Sequence, residues 1–243
     1  MILIDIGNTT IHFAVEKNSK LVKQFRVPTR TVNAAKIKKI IGSLPAEEIV
    51  ICSVVPKITS LFRNLKTLKK IAVVGKDINV PIRSLYNKSQ IGQDRLLGTF
   101  AAKKLFPEVR LVIDFGTAIT FDFISGKGNY LGGFIFPGIN LLFSSLTACA
   151  LLPKLIKIYP WRKVKIPKNT PDSINKGIME GIPLMINAWI TEYQSWITKN
   201  GSLKQKNIIV TGGQAKPVLK KLNFPYTYEP DLILKGMIFL MLG

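Results

Sequence analysis

Two short segments of this chain share one pattern, and that pattern limits the available folds more than any other feature. The segments are Ile2–Thr10 and Val112–Thr120. In each, an apolar run ends in an aspartate, followed by one apolar residue, a glycine and small hydroxyl or amide residues, and a second apolar run comes next. The pattern predicts strand, tight turn and strand, twice. Because Asp5 and Asp114 are 109 positions apart (114 minus 5), close to half the chain, we expect two similar halves facing each other across a nucleotide.

The chemistry of such a turn favours a phosphate ligand. Glycine lets the backbone approach a ligand closely, and backbone N–H groups and hydroxyls in a turn can surround phosphate oxygens. An aspartate at the end of a buried strand is costly unless it meets a cation or hydrogen-bond donors. The combination predicts a metal-bound nucleotide. The alternative is an ordinary hairpin turn, since Asp and Gly are common turn residues, and the repetition in matching contexts argues against it.

Composition excludes several classes of site. The chain has 243 residues, enough for one large domain or two of about 120, and 47% are hydrophobic, as in globular proteins. The only histidine is His12, which leaves little for a histidine-based triad or a zinc site. Acid–base chemistry must therefore fall on carboxylates, Lys or Tyr. Cys52 and Cys149 form neither a metal-ligand spacing nor a disulfide framework, which favours a reducing cytoplasm.

The net charge of +21 makes nucleic acid a partner to test. The lysines are spread over many segments, however, and no RNA-binding or helix-turn-helix motif is recognisable. We therefore favour solvated basic faces over a dedicated nucleic-acid site. The positive field would still favour anionic substrates.

The least charged stretch, 130–153, is long enough to span a membrane. It contains several glycines, Pro137 and two serines, so a strand, a turn and a helix are favoured over a span. The chain also starts directly in a predicted strand, without a charged signal-like segment. Elsewhere, periodicity predicts a buried strand at 49–55 and helices at 34–41, 57–68, 96–105, 139–150, 174–197, 217–222 and 231–242. Glycines and Pro183 are candidate breaks in the long helix at 174–197.

The segment Gly92-Gln93-Asp94-Arg95 leads into an apolar helix. One interpretation makes Asp94 a helix cap and Arg95 an incidental surface residue. The functional interpretation makes Asp94 a base and Arg95 an anchor for an anionic substrate group, using its bidentate guanidinium.

Five segments in order resemble the motifs of the type III pantothenate kinases, members of the acetate kinase, sugar kinase, Hsp70 and actin superfamily. Asp5–Thr9 resembles the first phosphate motif and Asp114–Ala118 the second. Gly92–Arg95 is similar to the substrate motif, 132–138 to an interface motif, and Thr211–Gly213 to the adenosine motif.

The resemblance implies an α/β fold of two ribonuclease-H-like halves, each a mixed sheet flanked by helices, at 1–110 and 111–243, with the nucleotide cleft between them. It implies ATP-dependent phosphorylation of pantothenate, the first step of coenzyme A synthesis, with Mg²⁺ and a monovalent cation, K⁺ or NH₄⁺. It also implies a cytoplasmic homodimer whose substrate pocket uses both subunits, with dimer contacts in the C-terminal half.

The resemblance also assigns residues to roles. Asp94 would accept the proton, with Asp5 as the second catalytic group, and the metal ligands would be Asp5 and Asp114. Nucleotide contacts would come from Asp5, Ile6, Gly7, Asn8, Thr9, Thr10, Ile11, His12, Gly116, Thr117, Thr211, Gly212 and Gly213. Substrate contacts would come from Tyr86, Gly92, Gln93, Asp94, Arg95 and Thr170.

The chain departs from the family pattern in three places. The segment between Tyr86 and Gly92 is one residue shorter than usual, Lys88 stands where a proline is common, and the strong positive charge is atypical. Two alternatives stay open: a related kinase acting on another hydroxyl substrate, and a non-enzymatic relative such as those described as transcription accessory factors. The intact aspartates and Arg95 argue against the second.

Overall fold

The computed structural model of the chain describes residues 1–65, 69–87, 90–146, 149, 165–198 and 201–242. It divides into two compact units. Unit 1 comprises Met1–Pro107, Ile124–Gly132 and Asp231–Gly243, and unit 2 comprises Glu108–Phe123 and Gly133–Pro230. Each unit is built on one five-stranded mixed sheet, as the sequence predicts.

The sheet of unit 1 has the strand order β3-β2-β1-β4-β5. Strands β1, β2 and β3 are antiparallel, whereas β4 and β5 continue the sheet in parallel from β1. The strands are β1 (Ile2–Ile6), β2 (Thr10–Lys17), β3 (Lys20–Pro28), β4 (Glu48–Ser53) and β5 (Lys70–Val73). The helices of this unit are α1 (Ala34–Gly42), α2 (Pro56–Arg63), α3 (Gln93–Leu105) and α6 (Leu232–Leu242).

Strands β1 and β4 are buried on both faces, which explains their nearly continuous apolar runs. Because side chains alternate along a strand, Ile2, Ile4 and Ile6 belong to one face. They share a hydrophobic cluster with residues of α1 and α2. Leu3 lies on the other face, in a cluster with residues of α3 and α6. This alternation places Asp5 on the face that α3 and α6 cover.

The sheet of unit 2 has the order β10-β9-β6-β7-β8. Its central strand β6 pairs antiparallel with β7 and parallel with β9. Phe121 and Phe134, on β7 and β8, stack with centroids 4.7 Å apart, and Trp189 of α5 meets both rings edge-on. The elements are β6 (Leu111–Phe115), β7 (Ala118–Ile124), β8 (Tyr130–Pro137), β9 (Ile208–Thr211), β10 (Thr227–Tyr228), α4 (Ile139–Leu146) and α5 (Thr170–Thr198).

Helix boundaries follow local capping rules in several places. The Asn33 side chain accepts a hydrogen bond from the Lys36 N–H at 2.9 Å and so caps α1. Helix α5 continues through Pro183, so the predicted break does not occur. The predicted helix at 217–222 is wrong: a 3₁₀ turn, Leu219–Lys221, stands there, because so short a segment does not nucleate an α-helix on its own.

Predicted helix ends at 66–68 and at 147, 148 and 150 lie outside the described residues, as does most of the apolar stretch beyond residue 146. Residues 130–146 of that stretch form β8 and α4, the predicted strand and helix. Among the helices that the structure describes, none is long and apolar enough to cross a membrane.

Candidate active site

The first Asp-x-Gly turn connects β1 to β2 and is closed by a hydrogen bond from the Gly7 N–H to the Thr10 carbonyl at 3.1 Å. At its tip Asn8 and Thr9 are exposed. Ile6 and Ile11, on either side, are completely buried in the hydrophobic cluster. These two residues therefore have only backbone groups to offer a ligand, whereas the tip can present side chains and N–H groups.

Asp5 is half-buried beside a second carboxylate, that of Asp94. Burial, with a contribution from the charge of Asp94, raises the pKa of Asp5 to about 7, although the Arg26 guanidinium opposes the shift. The same two carboxylates act on Cys52, the neighbour of Asp5 on β4. Its thiol is fully buried, and burial followed by these charges raises its pKa well above the usual value. Cys52 therefore places an uncharged thiol next to Asp5.

Asp94 lies in the first turn of α3, which follows Gly92. Its Oδ1 accepts a hydrogen bond from the Arg95 N–H at 2.8 Å. Burial raises the pKa of Asp94, while the Arg95 N–H and the Arg95 charge oppose the rise. Two half-buried carboxylates with raised pKa values, one near the end of β1 and one at the start of α3, are typical of a catalytic site. The arrangement supports the functional interpretation of Asp94, because Gly92 takes the capping position.

The Arg95 guanidinium lies 5.9 Å from the ring centre of Tyr130, a cation–π distance. Tyr130 is fully buried and meets Tyr86 edge-on at 6.4 Å. Tyr86 itself is 42% exposed. The structure therefore links two of the predicted substrate residues, Arg95 and Tyr86, through Tyr130, which the sequence analysis did not single out. An aromatic residue just before Gly132-Gly133 was the available signal.

His12 is buried on β2, directly across from Asp5 on β1 and from Arg26 on β3. The Arg26 Nη2 lies 3.3 Å from His12 Nδ1. Burial and this guanidinium lower the pKa of His12. The ring is therefore held neutral, with Nδ1 as an acceptor, and any contact of His12 with a nucleotide would not be that of a cation.

The second Asp-x-Gly turn, between β6 and β7, is held by hydrogen bonds to its carbonyl groups. The Gln214 side chain donates from Nε2 to the Gly116 carbonyl at 2.7 Å, and its backbone N–H donates to the Phe115 carbonyl at 2.9 Å. The Gly138 N–H donates to the Thr117 carbonyl at 3.0 Å. A Cβ at Gly138 would come within 2.5 Å of the Gly116 carbonyl oxygen, so only glycine fits there. These contacts fix the peptide planes of the turn.

Asp114, on β6, lies across from Thr211 of β9 and Thr120 of β7. Gly212 has a φ of +95°, and a Cβ there would overlap the Asp114 carboxylate and lie 2.5 Å from the Phe115 backbone nitrogen. The side chain of Asp114 therefore depends on a glycine at 212 for its space. Gly213 is exposed, with open space where a Cβ would be, and Thr211 is buried.

The remaining predicted substrate residues have separate positions. The Gln93 side chain lies against Gly75 in unit 1, and Gly92 precedes α3. Thr170 is the exposed first residue of α5 in unit 2. Next to it, the Asn169 side chain accepts a hydrogen bond from the Asp172 N–H at 2.9 Å, as an N-terminal cap of α5 does.

Within the described residues no group of three or more His, Cys, Asp and Glu side chains could hold a metal ion by itself. Mg²⁺ in phosphoryl-transfer sites is usually held by one or two carboxylates together with substrate phosphates, so the Asp5 carboxylate beside the phosphate turn fits that ion. Asp114, with the backbone oxygens of its turn, offers the oxygen ligands that suit a monovalent cation.

Two residues that brace the turns were missed by sequence reasoning. Gln214 follows the Thr211–Gly213 motif, and Thr29 follows β3. Thr29 donates to the first turn through both its hydroxyl and its N–H. Neither shows a local pattern, because their partners are distant in sequence: Gln214 and Gly116 are 98 positions apart.

A family model described as type III pantothenate kinase matches residues 1–192. The chain is 33% identical to the type III pantothenate kinase of Sulfurihydrogenibium sp. (strain YO3AOP1), over 99% of this chain and 98% of that protein. It is 34% identical to the type III pantothenate kinase of Persephonella marina, over 96% of this chain and 95% of that protein.

Among solved structures, the chain resembles a Campylobacter jejuni protein described as a Baf family transcriptional activator, with a TM-score of 0.63, 23% identity and coverage of 99% and 97%. It also resembles the ethanolamine utilization protein EutJ from Carboxydothermus hydrogenoformans, with a TM-score of 0.52, 14% identity and coverage of 98% and 88%. At these identities the likeness concerns the fold alone.

Proposed function

The chain belongs to the type III pantothenate kinase family, and on that premise we propose that it phosphorylates pantothenate with ATP, in the first step of coenzyme A synthesis. The observation that carries the proposal is the pair of interacting carboxylates, Asp5 and Asp94, with raised pKa values. Asp5 lies on β1 just before the phosphate turn, and Asp94 is next to Arg95 in the sequence, so phosphate and acceptor chemistry meet within unit 1.

In this proposal Asp94 is the proton acceptor. As the pantothenate hydroxyl oxygen bonds to the γ-phosphorus of ATP, the bond from that phosphorus to the β–γ bridging oxygen breaks, and ADP leaves. The hydroxyl proton passes to Asp94. Burial raises the pKa of Asp94, which makes its carboxylate a better proton acceptor than that of an exposed aspartate.

Positioning and charge stabilisation account for most of the catalysis in phosphoryl transfer. Unit 1 would contribute the turn Asp5–Thr10 to the phosphates, chiefly through the exposed Asn8 and Thr9 and through backbone N–H groups. Unit 2 would contribute Gly116, Thr117 and the Thr211–Gly213 segment. Here Gln214 holds the Gly116 carbonyl, which fixes the direction of the Thr117 N–H.

Arg95 would bind the pantothenate carboxylate. Its guanidinium is already held over Tyr130, which leaves less conformational entropy to lose when the substrate binds. The half-exposed Tyr86 would cover the substrate, and Thr170 would contribute a hydroxyl.

Asp5 would hold Mg²⁺ together with the ATP phosphates, and Asp114 would hold a monovalent cation. Bound Mg²⁺ neutralises charge that develops on the transferring phosphoryl group. Within the protein, the task of Asp5 is to present a charged oxygen beside the turn. Arg26 assists because its guanidinium favours the charged form of Asp5.

We also propose a homodimer formed through unit 2. β8 is an edge strand, and Ile135 on it is 62% exposed. Leu141 of α4 and Leu184 of α5 are also exposed. Ile135→Asp should give a monomer in sedimentation, whereas Val22→Asp, at an exposed apolar position of unit 1, should leave the dimer intact. An Ile135→Asp dimer would exclude this surface.

The cytoplasm remains our prediction for location, from the two free cysteines. The basic surface is proposed to attract anionic substrates.

The proposed activity is tested by ATP consumption and product analysis with a panel of hydroxy acids, sugars and pantothenate. We expect turnover with pantothenate at a kcat/KM at least tenfold above every other member. Turnover with another hydroxyl compound alone would assign the chain a different substrate, and no ATP consumption with any compound would support a non-enzymatic role.

A further inference from the structure

Thr29 is a buried threonine that makes two hydrogen bonds to the first phosphate turn. It begins the 3₁₀ turn Thr29–Thr31 that follows β3, and only 6% of it is exposed. Its hydroxyl donates to the Gly7 carbonyl at 2.8 Å. Its backbone N–H donates to the Thr9 carbonyl at 3.0 Å. One residue, just after the end of β3, therefore holds two of the carbonyl groups in the turn.

These bonds determine the direction of two N–H groups. In a planar trans peptide the C=O and the following N–H point in opposite directions. Fixing the Gly7 carbonyl therefore fixes the Asn8 N–H, and fixing the Thr9 carbonyl fixes the Thr10 N–H. Asn8 and Thr9, which lie between these groups, are exposed at the tip of the turn.

We propose that Thr29 is a positioning residue for nucleotide binding, because its hydroxyl holds the first phosphate turn in the orientation that receives ATP phosphates. The inference rests on the proposed function in that ATP binds this turn. Thr29 does not touch the substrate in this proposal. It acts by removing the peptide-plane freedom that an unbraced glycine turn would have to lose on binding.

The chain offers a matched set of variants. Thr29→Val is nearly isosteric and removes the hydroxyl, while Thr29→Ser keeps it. Thr31→Val is the control, since the Thr31 hydroxyl belongs to the same 3₁₀ turn, is exposed and donates to the Pro28 carbonyl at 2.9 Å, outside the phosphate turn. Calorimetry would measure binding of Mg²⁺ with a non-hydrolysable ATP analogue, without pantothenate, and kinetics would give KM for each substrate.

We expect Thr29→Val to weaken analogue binding and raise KM for ATP by about 5- to 100-fold, the range for a buried carbonyl that loses its donor. KM for pantothenate should change by less than about twofold, and Thr29→Ser should lie within about threefold of the wild type. A merely structural role would lower the melting temperature without separating the two KM values.

Wild-type affinity in Thr29→Val, equal increases in both KM values, or failure of Thr29→Ser to restore binding would each overturn the proposal. Should Thr29→Val not fold, Thr29→Ala compared with Thr29→Ser isolates the hydroxyl in the same way, and equal affinities would overturn it. Measurements on the wild type distinguish this proposal from the proposed kinase function. Analogue binding without pantothenate turnover refutes only the proposed function, whereas absence of analogue binding refutes both.

Discussion

In unit 1 the turn after β1 lies beside a second carboxylate, whereas in unit 2 the turn after β6 lies among glycines, hydroxyls and an amide. The strand neighbours of Asp5 are His12 and Cys52, and those of Asp114 are Thr120 and Thr211. Both aspartate strands are the central strand of a five-stranded sheet. The same backbone arrangement therefore carries two chemical environments.

The difference indicates a division of work. Ionisable groups with shifted pKa values collect around the first turn, which suits proton transfer and binding of a divalent cation. Neutral donors brace the second turn, and they suit a binding surface whose geometry is independent of pH. Variants of Asp5 and Asp94 should therefore affect mainly kcat, and variants that remove donors to the second turn should affect mainly nucleotide affinity.

The largest effect should come from Asp94→Asn, which removes the proton acceptor and keeps the shape of the side chain. General-base assistance is worth about 10²–10⁴ in rate, so kcat should fall by that range with little change in KM for pantothenate.

Arg95→Gln is the comparison variant. It should raise KM for pantothenate by about 10- to 100-fold, since a charge-assisted bond is worth roughly 1.5–3 kcal/mol.

The uncharged alcohol analogue of pantothenate tests the anchor separately. The wild type and Arg95→Gln should have similar KM values for this analogue. Equal losses with both substrates would show that Arg95 does not bind the carboxylate. Steady-state kinetics on both variants with both compounds supplies the measurement.

A direct test of the two turns compares Asp5→Asn with Asp114→Asn. Loss of the charge at Asp5 should lower kcat by about 10²–10³ and raise the Mg²⁺ concentration needed for half-maximal rate. Asp114→Asn should instead weaken the response to K⁺ or NH₄⁺ and lower kcat by less than about tenfold. If both variants lose the same activity with unchanged cation dependence, the proposed division between the turns is wrong.

Stability should respond to pH through Asp5. Its pKa is raised from an ordinary 3.8 to about 7 in the folded chain, so the folded state holds a proton that the unfolded state releases within this window. Stability therefore falls as pH rises from about 4 to 7. Asp5→Asn cannot ionise, so at pH 8 it should exceed the wild type by up to about 4 kcal/mol in free energy of unfolding.

The advantage of Asp5→Asn should disappear below about pH 4. Denaturant unfolding of both proteins at pH 4 and pH 8, without Mg²⁺ or nucleotide, makes the comparison. If the two proteins differ by the same free energy of unfolding at pH 4 and at pH 8, the charge on Asp5 does not destabilise the folded chain.

The smallest effect is expected in unit 2. Gln214→Leu removes the donor to the Gly116 carbonyl and the acceptor for the Asn140 N–H, so KM for ATP should rise about 5- to 30-fold with kcat nearly unchanged. Gln194→Leu, at an exposed position on α5, should match the wild type. A large loss of kcat in Gln214→Leu would contradict the assignment of this turn to binding.

Much of the fold was predictable because its determinants are local. The apolar run at 49–55 gave a buried strand, with β4 ending at Ser53, and the capping residue Asn33 set the start of α1. The prediction of a helix at 217–222 was wrong, because the apolar periodicity there covers only six residues. The segment forms a 3₁₀ turn at Leu219–Lys221 instead. The long helix predicted at 174–197 was observed as α5, which continues through the buried Pro183, one of its candidate breaks.

The sequence by itself determined the repeated Asp-x-Gly turns, the strands that flank them, the Gly92–Arg95 segment and the kinase family that these motifs resemble. All of these depend on residues close together in the chain. Only the tertiary structure decided which groups meet. It placed Asp94 beside Asp5, set Arg95 over Tyr130, and brought Thr29 and Gln214 to the turns that they brace. The physical reason is that pKa shifts and hydrogen bonds depend on distance in space, which sheet register and helix packing establish, and no local pattern encodes contacts between distant segments.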